Sequence, residues 1–290
     1  MGTVLLIDSC CDLPLNYIKN KNLTVVNFSY TFKGEIYEDD FGSSITHTDF
    51  YNAMRLGEMP TTSQVNVYQY KKMFRSIIEK DDDIIYICFS SGLSGSFMSA
   101  IIAKTDLMEE YPHSSIEVID SRCASLGEGL LLHYVLKLSE GGAQGSEIIE
   151  WVEKNKVRVN HFFTLSDLNH LKRGGRISGA AAALGTILNI NPMLSVDVEG
   201  KLKVINKIRG RKKSLKALAE LFIKRCQDDQ SEHTIFISHC DCEEDARYVE
   251  ELIRKHCSVG EVIINSMGPV IGAHTGPDAV ALFFFGEERD

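Results

Sequence analysis

A chain of 290 residues, 44% hydrophobic and 24% charged, has the composition of an ordinary soluble globular protein, long enough for one large domain or two ordinary ones. Its formal net charge of −9 argues against a general nucleic-acid binder, and no apolar run approaches the ~20 residues that would cross a bilayer. The opening MGTVLLIDSCCD has no basic region before its short apolar stretch Val4–Ile7, so no secretory leader is expected and the expected location is the cytoplasm.

In chain order, β-rich runs alternate with amphipathic helices. Strands are predicted at Val4–Asp8, Thr24–Phe32, Ile84–Ser90, Ile116–Asp120, Val159–Thr164, Thr234–Ser238, Val262–Asn265 and Ala281–Phe285. Helices are predicted at Val67–Glu79, Ser96–Tyr111, Leu126–Glu140, Ser214–Gln227 and Glu243–His256. Several of the strands are unbroken apolar runs, the mark of strands covered on both faces. With the helices between them they read as βαβ units around a largely parallel sheet. One composition break, EGGAQGSE at Glu140–Glu147, places a domain boundary near residues 140–155. The expectation is an α/β fold of two domains. Residues 1–150 would carry a largely parallel sheet with helices on both faces, and residues 151–290 a mixed sheet with helices. The mixed sheet is expected because MLSVDVEGKLKVINKI, Met193–Ile208, carries a hairpin signal at Glu199-Gly200.

The eight cysteines do not form a disulfide framework by their placement, and reduced thiols are expected. SHCDC, Ser238–Cys242, has metal-ligand chemistry but lacks a second pair at zinc spacing, so no metal is expected. Positive charge is concentrated in KLKVINKIRGRKK, Lys201–Lys213, and in HLKRGGRISG, which holds Lys172, Arg173 and Arg176. Each is either a solvated face or a place for an anion or an acidic partner.

In an open parallel sheet, ligands bind beyond the carboxyl ends of the strands. ICFSSGLSGSFMSA, Ile87–Ala100, is a strand-to-helix turn of this kind. Its glycines let backbone N–H groups approach a ligand, and Ser94 and its neighbours add hydroxyls suited to an anion. A helix cap alone needs one serine. MPTTSQ, Met59–Gln64, taken alone is no better than a capping sequence. In GPVIGAHTGPDAV, His274 stands in a glycine-rich turn, where it is less easily explained as core filler. Asp8 and Ser9 at the end of the first strand read as loop-fixing residues. GLSGS misses the GxSxG elbow because its second glycine comes one position early. A serine-dependent esterase or acyltransferase using Ser94 and His274, with only Asp278 near the histidine in sequence, is therefore the weaker reading. Neither GxGxxG after a strand nor GxxxxGK[ST] occurs, so no nucleotide cofactor is expected.

Taken in order, IDSCCDLP, PTTSQ, SSGLSGS, LKRGGRISG, KIRGRKKSL and GAHTGP resemble the DegV family of bacterial fatty-acid-binding proteins, over the whole chain. The resemblance implies two α/β domains with a long-chain fatty acid in an apolar tunnel that ends between them. It implies that hydroxyls hold the carboxylate, here Thr62 and Ser94, with Ser63, Gly95 and His274 close by. Some members are the acyl-carrying, non-catalytic subunit of a fatty acid kinase, and no cofactor is implied. The family's kinase-docking arginines match Arg173 or Arg176 and Arg209. The family commonly has proline and serine after the glutamine of the TSQ motif, where this chain has Val65 and Asn66.

Overall fold

A computed structural model of the protein describes residues 2–80, 82–166, 168–177, 190–226 and 233–290. Ser178 and Gly179 of the second basic segment and Gln227 at the predicted end of a helix lie outside them.

The first half contains strands β1 (Thr3–Asp8), β2 (Thr24–Val26), β3 (Ser29–Phe32), β4 (Glu35–Glu38), β5 (Thr61–Ser63), β6 (Asp83–Cys88) and β7 (Ile116–Asp120). Its helices are α1 (Leu15–Asn20), α2 (His47–Arg55), α3 (Val67–Ile78), α4 (Ser96–Glu110), α5 (Leu126–Glu140) and α6 (Gly145–Asn155). β2, β1, β6 and β7 form, in that order, an all-parallel sheet. Its central runs, Leu6-Ile7 of β1 and IIYIC of β6, are buried as expected of strands covered on both faces. α3 packs on β6 and α4 on β7. The predicted single strand Thr24–Phe32 is two strands in two sheets, because the chain leaves the parallel ladder at Asn27-Phe28. There the Phe28 N–H donates to Ser9 Oγ (3.1 Å), and β3 then joins β4 and β5 in a small antiparallel sheet. The Val65-Asn66 departure has a local use. Val65 is buried, and Asn66 caps α3, exchanging side-chain and backbone bonds with Gln69 in a capping box.

The second half contains β8 (Val159–Thr164), β9 (Ile190–Val196), β10 (Leu202–Arg209), β11 (His233–His239), β12 (Val259–Ser266) and β13 (Val280–Phe285), with helices α7 (Asn169–Arg173), α8 (Arg211–Cys226), α9 (Glu243–Arg254) and α10 (Pro269–Thr275). The sheet order is β10-β9-β8-β13-β11-β12. Only β11 and β12 run parallel; the other pairs are antiparallel. β9 and β10 are the predicted hairpin, and Gly200 in its turn has φ 77°, a conformation glycine adopts at no steric cost. Strand alternation sorts the side chains. Phe162, Ile235, Ile237, Leu282 and Phe284 pack beneath α8 and α9, while Phe163, Phe236, Ala281 and Phe283 belong to the core shared with the first half. α5 is buried around nearly its whole circumference. It packs on β8, β11 and β13, and also on Ser9–Cys11 of the first half.

Six cysteines are free thiols. Cys257 departs from the expectation of reduced thiols: it is disulfide-bonded, to a partner outside the described side chains. Cys240 Sγ meets Met267 Sδ at 3.4 Å and Cys242 Sγ meets Ala279 O at 3.3 Å. Among the described residues no three His, Cys, Asp or Glu side chains could together hold a metal ion. No helix among them is long and apolar enough to cross a membrane.

Candidate functional site: a cavity between the two sheets

β6 ends at Cys88, and the loop that follows turns its Phe89, Leu93 and Ser94 toward a cavity. β5 supplies Thr62 and Ser63. The facing wall is the inward set of the second sheet, Phe163 on β8 and Ala281 and Phe283 on β13, placed there by the two-residue period of their strands. α10 closes the space with Val270, Ile271 and His274. The walls are thus mostly apolar, with hydroxyl and imidazole groups gathered where β5, α10 and the serine loop meet.

Most of the serine loop's hydroxyls hold the loop itself. Ser90 Oγ donates to Gly200 O (2.9 Å). Gly92 is required at the same contact, since a Cβ there would lie 2.7 Å from Gly200 O. Ser91 donates to Asp120 from both its amide (3.0 Å) and its hydroxyl (2.6 Å). Ser96 Oγ accepts the Val65 N–H (3.1 Å), fastening the serine loop to the segment after β5. Ser94 is the member that lines the cavity; its Oγ accepts the Ser96 N–H (3.2 Å) and lies 3.0 Å from Ser96 Oγ. α4 itself starts at Gly95 without a side-chain cap. Asp8 and Ser9 behave as loop anchors. Asp8 accepts the N–H groups of Cys10 and Phe89 (3.0 and 2.7 Å) and the hydroxyl of Tyr86, tying the end of β1 to the exit of β6. Burial pushes this carboxyl up to about 6.

At the polar end, Thr62 Oγ1 and His274 Nε2 are 2.8 Å apart. His274 stands in the last turn of α10, not in the glycine-rich turn expected from GAHTGP, because Pro269 starts a short helix and Gly276 ends it at φ 77°. Burial, then the neighbouring Arg176 and Arg173, lowers the imidazole to about 4, so it is neutral at physiological pH. Its Nδ1 is buried without a hydrogen-bond partner, against Gly174, where a Cβ would be 2.0 Å away. Arg176 is half-buried in the cavity wall and donates from Nε to Leu93 O (3.0 Å).

His161 also lines the cavity, with 2% of its surface exposed. Its Nδ1–H donates to Val159 O (2.8 Å) and its Nε2 accepts the Ala124 N–H (3.2 Å). These bonds fix a neutral tautomer, and burial beside Arg289 holds the ring well below its ordinary pKa. Behind it, Arg289 is buried and donates to the carbonyls of Arg122 and Lys156. His161 and Val196 also border a second cavity, which Arg289 and Ser195 line.

Of the residues singled out by sequence, Thr62, Ser63, Ser94 and His274 line one cavity. Gly95 stands behind them, where a Cβ would meet Gln64 Oε1 at 2.2 Å. Arg176 is part of the wall rather than of an outer surface. Arg173 is exposed and donates to His170 Nδ1 (2.8 Å). Arg209 is exposed at the far end of β10, seven residues from the cavity-lining Leu202, about 23 Å along an extended strand. Sequence reasoning missed the aromatic walls Phe28, Phe89, Phe163 and Phe283, and it missed His161; each reads in sequence as strand core. The hydrolase reading finds no triad. His274 Nε2 pairs with Thr62, its Nδ1 faces no carboxylate, and Asp278 is engaged by Arg55 at 2.8 Å.

Residues 3–287 match the family described as "Uncharacterised protein, DegV family". A DegV domain-containing protein of Clostridium perfringens is 42% identical over 287 residues, which cover 99% of this chain and 98% of that protein. A DegV family protein from Thermus thermophilus, whose structure is described as showing fatty acid binding, superposes with a TM-score of 0.87 at 29% identity, over 99% of this chain and 100% of that one. A stearic acid-binding protein from Eubacterium ventriosum gives a TM-score of 0.87 at 27% identity, over 99% of this chain and 98% of that one. With sequence and fold matched from end to end, the chain belongs to the DegV family.

Proposed function

We propose that this protein is a cytoplasmic carrier of a long-chain fatty acid. The acyl chain would lie in the cavity between the N-terminal unit, residues 1–150, and the C-terminal unit, residues 151–290. The observation that carries this reading is the polarity of that space: its walls are mostly apolar, and hydroxyls, a neutral imidazole and one guanidinium cluster where β5, α10 and the serine loop meet. At ~0.8 kcal/mol per buried methylene, a C16–C18 chain gains on the order of 10 kcal/mol from such walls. Tight binding therefore needs no chemistry.

A carboxylate only accepts hydrogen bonds. His274 Nε2–H then donates to Thr62 Oγ1, which leaves the Thr62 hydroxyl proton to point at the ligand. The Ser94 hydroxyl, which donates to Ser96 Oγ in the ligand-free protein (3.0 Å), would turn to the ligand as the second donor. Arg176 adds charge-assisted attraction, and Ser63 and Gly95 shape the mouth. Donors of this kind hold one carboxylate oxygen and leave the other open to modification. This suits presentation of the acid to a fatty acid kinase, with the exposed Arg173 and Arg209 as candidate docking residues. The relatives described as binding fatty acids support the ligand class.

Organic extraction and mass spectrometry of the purified protein tests the reading. A stoichiometric fatty acid is expected, or its uptake by delipidated protein offered palmitate or oleate. Failure of both overturns it.

A further inference from the structure

The helix that carries His274 is held from the other half of the molecule by two buried acids. α10 has Gly268 as its N-cap, a residue with no side chain to satisfy the first N–H groups. Asp12, from the loop after β1, accepts the Gly268 N–H at 2.7 Å. Asp39, just after β4, faces the Val270 N–H at 3.4 Å. Both carboxyls are almost wholly enclosed, at 2% and 1% exposure, and among the described residues neither forms a salt bridge. The seat is tight: a Cβ on Gly268 would lie 2.8 Å from Asp39 Oδ2 and 3.1 Å from Asp12 Oδ1. Further bonds lock the same corner. Asn265 Nδ2 donates to Asp12 O (2.8 Å), Ser125 Oγ donates to Asp12 Oδ2 (2.5 Å), and the Tyr51 hydroxyl donates to Met267 O (2.8 Å).

From Gly268 to His274 is less than two turns, about 9 Å of helix, so a shift of the N-terminus is passed to the imidazole undiminished. We propose that Asp12 and Asp39 are positioning residues for the carboxylate site, seating α10 by its leading N–H groups so that His274 meets Thr62. The proposal rests on the fatty-acid reading for its ligand, but the seating itself can be observed without one. Buried carboxyls are expensive to keep, and each of these gives an oxygen to a leading N–H of this helix, a use that packing alone does not supply.

The test compares Asp12→Ala with Asp12→Asn, which keeps an acceptor oxygen for Gly268. Three readouts are taken: thermal melting, the imidazole resonances of His274 in ligand-free protein, and titration with a fluorescent long-chain fatty acid. Asp12→Ala is expected to move the His274 resonances and weaken the fatty acid by ~10-fold, about the value of one lost hydrogen bond. Asp12→Asn should restore both to near wild type even where its melting temperature differs. Should Asp12→Ala not fold, Gly268→Ala and Asp39→Ala report on the same seat, and each should shift His274. Unmoved resonances in folded variants, or an Asn variant as impaired as the Ala variant, overturn the proposal. Wild-type protein that binds no fatty acid, while its Asp12 variants still shift His274, would sink the ligand reading and leave the seating intact.

Discussion

Thr62 Oγ1 and His274 Nε2 stand 2.8 Å apart across 212 residues of sequence, one from a short edge strand of the first half and the other from the last turn of a helix in the second. Neither residue has this partner nearby in the chain, and the pair exists only when the two halves are docked.

Removing the hydroxyls should be felt directly. Thr62→Val together with Ser94→Ala is expected to weaken long-chain fatty acid binding by a few kcal/mol, since each hydrogen bond to a charged group is worth ~1.5–3 kcal/mol. A fluorescent fatty-acid titration measures this, and wild-type affinity in the double variant would move the head group elsewhere.

His274 should stay neutral far into acid. Its folded pKa is about 4 against 6.5 for the ordinary imidazole, chiefly through burial. Between those values the unfolded chain binds the proton and the folded protein does not. Stability therefore falls as pH drops from 6.5 through 4, and this effect is absent above 6.5. An NMR titration of the ligand-free protein should place the His274 midpoint well below 6, and the acid-side slope should shrink in His274→Gln. A midpoint at or above 6.5 contradicts the buried, arginine-flanked geometry.

Gly174 tests the imidazole's position without touching it. Its backbone lies at φ −70° and ψ −9°, which alanine adopts freely, but the new methyl would fall 2.0 Å from His274 Nδ1. Gly174→Ala should retain the fold by circular dichroism and lose fatty-acid affinity by ~10-fold, about the value of one displaced hydrogen bond. Unchanged affinity would mean the ring is not part of the head-group site.

His161 lines the cavity and also borders a second one. His161→Ala should join the two spaces and shift the preferred acid toward longer chains across a C14–C22 series. It should also lower the melting temperature, because the buried Ala124 N–H loses its acceptor at ~1–3 kcal/mol. A length profile identical to wild type would place the acyl terminus elsewhere.

The arginines should separate by position. Arg176→Ala, in the cavity wall, is expected to reduce fatty-acid affinity, whereas Arg209→Ala at the distant end of β10 should leave it unaltered and slow only phosphorylation by a kinase partner. Equal losses in both titrations would deny Arg176 its place beside the carboxylate.

What could be read from sequence was what is local. The apolar runs of β1 and β6, the hairpin turn at Gly200 and the serine loop's place after a strand all follow from short-range pattern and turn chemistry. The break at Asn27-Phe28 did not show, since it is made by Ser9 from another loop. His274 looked like a turn residue because a seven-residue helix between glycines has too little periodicity to register. The serine-rich loop was over-read: Ser90, Ser91 and Ser96 satisfy Gly200, Asp120 and Val65, and only Ser94 is left to face the cavity. Phe89, Phe163 and Phe283 gave no signal as cavity walls, because an aromatic on a buried strand looks the same whether it meets another side chain or a space.

α5, buried from Leu126 to Leu136 except at Tyr134 and wedged between Ser9–Cys11 and the strands β8, β11 and β13, gives water only its last turn. Cutting the chain at the glycine-rich stretch after it would strip the six-stranded sheet of its cover and leave a greasy rod protruding from the amino-terminal fragment. Melting should accordingly be a single cooperative event, and two separately produced fragments should be recoverable only by reassembling with each other.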